Sequence, residues 1–328
     1  MASQGLEDSH LVLRSRVGEV PAIPVICGPT AGGKSALAVS FALMLRERGV
    51  TAEIVTADAF QVYRGMDIGT AKPTRPEMQG VRHHLIDLVD PSHRFSASEW
   101  LAAATQTIED CQRRGVLPIV VGGTHLYIRL LVDGMFEGPA ANESLRAELS
   151  AMGPAALRAE LERVDPNSAR RLHPNDLRRT IRAIEVFRLT GKAISDQQVQ
   201  WGVGDHQYQY RLITLTWPST LINTRINARV KQMMNRGLES EARTLWARAA
   251  FGPTAREALG YKQLIDHFEG RHSLEEAVEK IKIETRRFAK NQRTWLKRLR
   301  MKPGSINMDV EVSPVQKWPV EVVREFGY

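Results

Sequence analysis

Apolar positions along this chain follow two different periods. Five short runs read as strands: Ile23 to Cys27, Thr51 to Ala57, Arg82 to Val89, Leu117 to Val121 and Tyr210 to Trp217. Most are rich in Val and Ile and bounded by glycine or polar residues, as strands buried in a parallel sheet are. Helical patterns separate them. Ala36 to Leu45 is Ala/Leu-rich and ends near Arg46 and Arg48, with Gly49 as its stop. Glu99 to Arg113 follows Ser96 or Ser98 as cap, and Thr220 opens a helix after the last strand. Leu274 to Lys302 is a long final helix with an apolar stripe of Ile281, Phe288, Trp295 and Leu299. Strands alternating with helices predict an α/β fold with a parallel sheet.

From about Asp133 the strands stop. Pro139, Gly153, Pro154, Pro166 and Pro174 punctuate short helices as far as Asp205, which predicts a helical insertion in the α/β core. Within it Asn175-Asp176 caps a helix to Leu189, stopped by Gly191, with Leu177, Ile181 and Ile184 as its apolar face. The expected organisation is a flexible extension at 1–22, a core at 23–135 and 206–302, the insertion at 136–205 and a tail at 303–328.

The 328 residues are enough for two domains, and 43% hydrophobic with 25% charged residues is ordinary for a soluble protein. No apolar run approaches the ~18 residues of a membrane span. Residues 1–20 lack the apolar stretch of a signal peptide. Cys27 and Cys111 are the only cysteines, without metal spacing, as expected of packed thiols in the cytoplasm. The net charge of +8 points to a polyanionic partner. Part of it has an address: Arg286, Lys290, Arg293, Lys297 and Arg300 recur every three or four residues along the last helix. A cationic stripe so little broken by acids suits a nucleic-acid backbone.

Gly28-Pro29-Thr30-Ala31-Gly32-Gly33-Lys34-Ser35 fits G-x-x-x-x-G-K-[ST] between a strand and a helix. Such a P-loop turns backbone N–H groups and a helix N-terminus toward an anion, and Lys34 adds a full charge. Ser35 is placed for a metal ion carried by phosphates. Asp58 ends the second strand, on the rim where open α/β sheets bind ligands. Gly122-Gly123-Thr124 ends another, offering close backbone approach and a hydroxyl. Arg225 and Arg229 lie one turn apart and could clamp a diphosphate. No N-K-x-D segment marks a GTPase. A small-molecule or nucleotide kinase remains open, with Arg178-Arg179 as a lid, but leaves the basic helix without a task. A nucleotide-sensing RNA-binding protein is the third class.

Six strings carry a resemblance: GPTAGGKS (28–35), DAFQVYRGMDIGTAKP (58–73), HHLIDLVDPS (83–92), VVGGTHLY (120–127), HPNDLRRTIRAIEVF (173–187) and ALGYKQ (258–263). In this order they resemble the tRNA dimethylallyltransferase family, over most of the chain. The resemblance implies a P-loop NTPase-like core whose loop holds dimethylallyl diphosphate in place of ATP, with Mg²⁺ at Ser35. It implies an insertion that grips the anticodon stem-loop of tRNA, and a cytoplasmic, monomeric enzyme. Carried over by position, Gly28, Pro29, Thr30, Ala31, Gly32, Gly33, Lys34 and Ser35 bind diphosphate, and Asp58 is the catalytic carboxylate. Asp58, Ala59, Phe60 and Gln61 touch the target nucleotide. Thr124, Arg146, the stretch Arg178, Arg179, Thr180, Ile181 and Arg182, and the stretch Arg256, Glu257, Ala258, Leu259, Gly260 and Tyr261 contact tRNA. Either Arg225 or Arg229 matches a diphosphate arginine. Ala59-Phe60 departs from the Ser–Met or Ser–Ala more common there, and removes a hydroxyl.

Overall fold

The computed structural model describes residues 22–134, 138–197 and 208–328; the expected extension, Ala22 apart, lies outside them. The chain divides into two compact units, Met1–Arg129 with Gln207–Tyr328, and Leu130–His206. Its order is β1 (Ile23–Cys27), α1 (Lys34–Arg46), β2 (Ala52–Ala57), α2 (Arg75–Met78), β3 (His83–His84), α3 (Ala97–Arg113), β4 (Leu117–Gly122) and α4 (His125–Asp133). The helical unit follows with α5 (Glu143–Ala151), α6 (Pro154–Val164), α7 (Pro166–Arg171), α8 (Leu177–Thr190) and α9 (Ile194–Gln197). The chain then continues through β5 (Tyr210–Thr216), α10 (Ser219–Asn235), α11 (Leu238–Ala247), α12 (Tyr261–Phe268), α13 (Leu274–Leu299), β6 (Ile306–Asp309) and α14 (Trp318–Glu325).

One six-stranded sheet in the order β3-β2-β4-β1-β5-β6 forms the core of the first unit, with every pairing parallel. All residues of β1, β2 and β4 are buried, which is why these runs do not alternate and are apolar apart from Glu53 and Thr56 of β2. The chain order reverses around β1, and the carboxyl ends of β1, β2 and β4 meet at that switch point. Ser96 rather than Ser98 caps α3: it accepts the Glu99 N–H while Glu99 reaches back to the Ser96 N–H.

Several expectations change. The run 82–89 gives strand only at His83–His84. Leu85 and Asp87 take positive φ, and Asp87 is drawn to the buried Lys72 ammonium, so the chain leaves the sheet to pair with residues 61–64. Next, 303–328 is more than a tail, and β5 is not the last strand. Ile306 and Met308 are buried on β6, which pairs with β5, while Trp318, Val322 and Val323 bury one face of α14. Finally, the inner face of α13 is Ala277, Ile281, Ala289, Gln292, Leu296 and Leu299, leaving Phe288 exposed.

The helical unit has its own core of Leu149, Leu157, Leu161, Val164, Ala169, Ala183 and Ile184. Asp176 caps α8 through the Arg179 N–H, and Gly191 ends it in the left-handed region. Leu177, expected on the apolar face, is exposed, because the buried arc of α8 runs from Thr180 through Ala183 to Val186 instead.

Candidate active site

Register brings the predicted groups to one level. Cys27 and Ala57 both align with Gly122 of β4, so Gly28, Asp58 and Gly123 emerge side by side from three adjacent strands. Close packing there demands glycine. A Cβ on Gly122 would lie 2.0 Å from the Ala57 carbonyl oxygen, and one on Gly28 would lie 2.9 Å from Leu215 Cβ.

Between β1 and α1 the chain forms the cradle. Gly33 sits at φ 88° and Ala31 at φ 59°, a conformation that costs a non-glycine residue about 1 kcal/mol and turns amides inward. Three side chains hold the outer carbonyls: Trp217 Nε1 donates to Gly32 O (3.1 Å), Arg225 Nε to Ala31 O (2.7 Å) and Lys34 Nζ to Pro29 O (2.9 Å). Burial and the nearby Arg229 push the Lys34 pKa down to about 8, with Asp58 pulling the other way. The Ser35 hydroxyl is exposed at the start of α1. An exposed hydroxyl at a helix N-terminus is an oxygen donor of the kind a hard divalent cation takes, so Ser35 is the residue that would hold one here.

The two arginines left open by the sequence differ. Arg225 is committed: besides its bond to Ala31, its guanidinium lies over the Trp217 ring, 4.5 Å from the centroid. Arg229 has no hydrogen bond or ion pair among the described residues, yet burial lowers its pKa while Asp58 and Glu77 pull it up. It is a desolvated cation at the cradle, within electrostatic reach of Lys34 and Asp58.

Asp58 is held by its own turn. Its Oδ1 accepts the Phe60 and Gln61 N–H groups at 2.9 and 3.3 Å, which leaves Oδ2 for a ligand. Thr124 clamps the same place from β4: its Oγ1 accepts the Ala59 N–H (3.0 Å) and its N–H donates to Ala57 O (3.3 Å). Ala59 thus contributes its backbone, which needs no hydroxyl. Gln61 is directed inward, its Nε2 donating to Thr70 O and Ala71 O. Within 61–72, Lys72 Nζ donates to Tyr63 O and pairs with Asp67, and Glu241 accepts the N–H groups of residues 67–69. Glu241 does not stand out in the sequence, being one charged residue in a polar stretch, and Lys72 lies in the 58–73 string with nothing there to mark its partners.

The expected RNA-contacting stretches are only partly open. Tyr261, Ala258, Ala255 and Gly260 are buried: the Tyr261 phenol receives the Gly69 N–H and donates to Glu241, so this ring is a brace for the 61–72 loop. Leu259 is half-buried, and Arg256 and Glu257 are exposed, paired with Glu269 and Lys262. In the helical unit Thr180 is buried and Ile181 half-buried. Arg146 and Arg182 converge on the fully buried Glu185, while Arg178 and Arg179 face solvent. Along α13, Arg286, Arg293 and Arg300 hydrogen-bond Asn227, Ser219 and Asn307, and Lys290 and Lys297 are exposed.

One buried group was missed. Gln292 Oε1 accepts the Thr30 N–H (2.8 Å) and its Nε2 donates to Gly123 O (2.9 Å). Its signal was a polar residue at a core position of α13. A second buried cluster lies at the far end of β2, where Glu53 pairs with His84 and, through both oxygens, with Arg114. Hydrogen bonds from Arg114 hold the Glu53 pKa down to about 2. Cys111 lies beside them, its thiol pushed up to about 11 chiefly by burial. With both Glu53 oxygens held and the thiol protonated, this is framework chemistry rather than a ready metal site.

Comparison with known proteins adds the following. The family described as IPP transferase matches residues 61–299. A tRNA dimethylallyltransferase of Pelobacter propionicus is 45% identical over 282 residues, 84% of this chain and 89% of that protein. One of Geobacillus thermodenitrificans is 41% identical over 93% of this chain and 95% of its own. The crystal structure of a tRNA isopentenylpyrophosphate transferase from Bacillus halodurans matches with TM-score 0.67 and 37% identity, covering 94% of this chain and 97% of that one. A eukaryotic dimethylallyltransferase acting on tRNA matches with TM-score 0.77 and 27% identity, over 93% and 77%.

Proposed function

This chain belongs to the IPP transferase family, and on that premise we propose the reaction its rim of residues carries out. It is a tRNA dimethylallyltransferase: a dimethylallyl group passes from dimethylallyl diphosphate to the exocyclic N6 amine of the adenosine 3′ of the anticodon, and diphosphate leaves. Membership of the IPP transferase family, with tRNA dimethylallyltransferases as relatives over most of the chain, sets the kinase reading aside. The observation that carries the assignment of roles is the shared row of Gly28, Asp58 and Gly123, which sets a phosphate cradle beside a carboxylate.

The adenine amine is a weak nucleophile, because its lone pair is delocalised into the ring, so positioning must supply much of the rate. A C–N bond forms at the allylic carbon as the C–O bond to diphosphate breaks. Negative charge grows on the leaving oxygens. The cradle amides, Lys34 and Arg229 face that charge, in a setting already desolvated enough to lower both cations' pKa values. Mg²⁺ at Ser35 would neutralise more of it. Asp58 orients the amine through Oδ2 and accepts its proton as the bond forms, Oδ1 staying with its turn.

The adenine must leave its stack to reach Asp58, at a cost of a few kcal/mol that contacts to tRNA phosphates offset. We assign those contacts to Lys290 and Lys297 on α13 and to Arg178 and Arg179 in the helical unit, all exposed cations. The proposal includes a monomer working in the cytoplasm, where free thiols such as the buried Cys27 and Cys111 persist. Among the described residues no helix is long and apolar enough to cross a membrane. The test is incubation with dimethylallyl diphosphate labelled in its carbon chain, γ-labelled ATP and unmodified tRNA. Carbon label on the adenosine 3′ of the anticodon supports the reading. Release of γ-phosphate without RNA labelling overturns it.

A further inference from the structure

We infer that Gln292 is a positioning residue that holds the phosphate cradle in register with the Asp58 clamp. The inference rests on the reaction assigned above. Gln292 is 3% exposed, on the inner face of α13, between the exposed Lys290 and the half-buried Arg293. Its carboxamide presents one acceptor and one donor, and the structure uses each once: Oε1 takes the Thr30 N–H of the cradle, and Nε2 gives to the Gly123 carbonyl. The two partners fix the orientation of the amide, since a flip would set donor against donor and acceptor against acceptor. Gly123 leads into Thr124, whose two hydrogen bonds grip the chain on either side of Asp58. A single side chain therefore joins the strand end that carries the leaving group to the strand end that aims the nucleophile.

The close approach is built in. A Cβ on Gly123 would lie 2.5 Å from Gln292 Nε2 and 3.4 Å from Lys34 Nζ, so glycine at 123 keeps room for the amide beside the lysine. Met is close to isosteric with Gln but has neither the amide donor nor its acceptor. Glu keeps the acceptor for Thr30 but turns an oxygen toward the Gly123 carbonyl unless it is protonated. These two changes separate hydrogen bonding from filling the space.

The test uses Q292M and Q292E in the full-length protein, with thermal unfolding as a check. Transfer to tRNA is measured over a pH series, and inorganic diphosphate binding is measured by calorimetry. A misplacement of about 1 Å can cost on the order of 100-fold in rate, so kcat of Q292M is expected to fall about 10- to 100-fold, with KM for tRNA changed less than about threefold. Diphosphate binding should weaken about three- to tenfold, a loss of order one hydrogen bond. For Q292E the ratio of wild-type to variant kcat should narrow as pH falls, because the protonated carboxyl again donates to Gly123. A structural filler would give no such pH signature. Wild-type kcat in Q292M, a pH-independent ratio in Q292E, or failure of both variants to fold would each overturn the inference. If the wild type transfers no label, the assigned reaction fails, and the calorimetric arm still reads the link between Gln292 and the cradle.

Discussion

Replacing Arg229 by Gln should weaken diphosphate binding while making the ligand-free protein more stable. The guanidinium is desolvated, has no hydrogen bond or ion pair among the described residues, and shares its surroundings with Lys34, Arg225 and Arg236. Without an anion its charge is therefore a net cost, partly offset by Asp58 and Glu77. With diphosphate bound, it supplies one or two charge-assisted hydrogen bonds worth about 1.5–3 kcal/mol each. At 1.4 kcal/mol per decade, Arg229→Gln should raise the Kd for Mg²⁺-diphosphate by about 10- to 10⁴-fold. Relief of the half-buried, desolvated charge should raise the ligand-free Tm. Arg225→Gln provides the contrast. It removes the bond to Ala31 O and the contact with Trp217, so Tm should fall, and binding should weaken by no more than about tenfold. Isothermal calorimetry and thermal unfolding on both variants decide the matter. Unchanged affinity in Arg229→Gln, or a larger loss in Arg225→Gln, would refute the assignment.

Other expectations follow from single contacts. Asp58→Asn keeps an acceptor for the Phe60 and Gln61 N–H groups but cannot take a proton, so kcat should fall about 10²- to 10⁴-fold with tRNA affinity intact; a parallel loss of affinity in filter binding would remove the base role. Thr124→Val leaves the Ala59 N–H without its acceptor and should cost about 1–2 kcal/mol of stability in urea titration, together with a drop in kcat; loss of neither contradicts the clamp. Glu53 is held at about 2, below its ordinary value, so the stability it contributes, at most about 3 kcal/mol, is complete above the unfolded pKa near 4.5 and lost as pH falls toward 2. Arg114→Ala should destabilise the fold at neutral pH and flatten that acid limb of a Tm–pH curve; an unchanged limb would contradict the pairing. Removing Lys290 and Lys297 together should reduce the slope of log K for tRNA against log salt by about 1.4–1.8, and an unchanged slope would free α13 from phosphate contact.

What the sequence disclosed depended on how local each cause was. The cradle is written in eight consecutive residues, and Asp58 could be placed because a parallel strand delivers its next residue to a known rim. The run 82–89 misled because its path is set by Lys72, ten or more residues upstream, which turns Asp87 away from the sheet. Residues 303–328 looked like a tail because β6 is short, although Trp318, Val322 and Val323 already marked a helix face. Tyr261 belongs to a motif string yet braces a loop, since its partners, Gly69 and Glu241, are distant in sequence. Arg225 and Arg229 are equivalent by spacing and separable only by their partners, Ala31 and Trp217 on one side and none for the other. Gln292 was hidden for the same reason: a lone glutamine has no motif, and only its two distant partners give it meaning.

The most direct measurement of the central claim is a crystal structure of the protein with an uncleavable thio analogue of dimethylallyl diphosphate and an anticodon stem-loop. The expected result is the diphosphate within residues 28–35, a flipped adenine with its N6 in hydrogen-bond reach of Asp58 Oδ2, and the allylic carbon facing that nitrogen. A diphosphate in the cradle with the adenine still stacked in the loop, or with Asp58 turned from N6, would contradict the account.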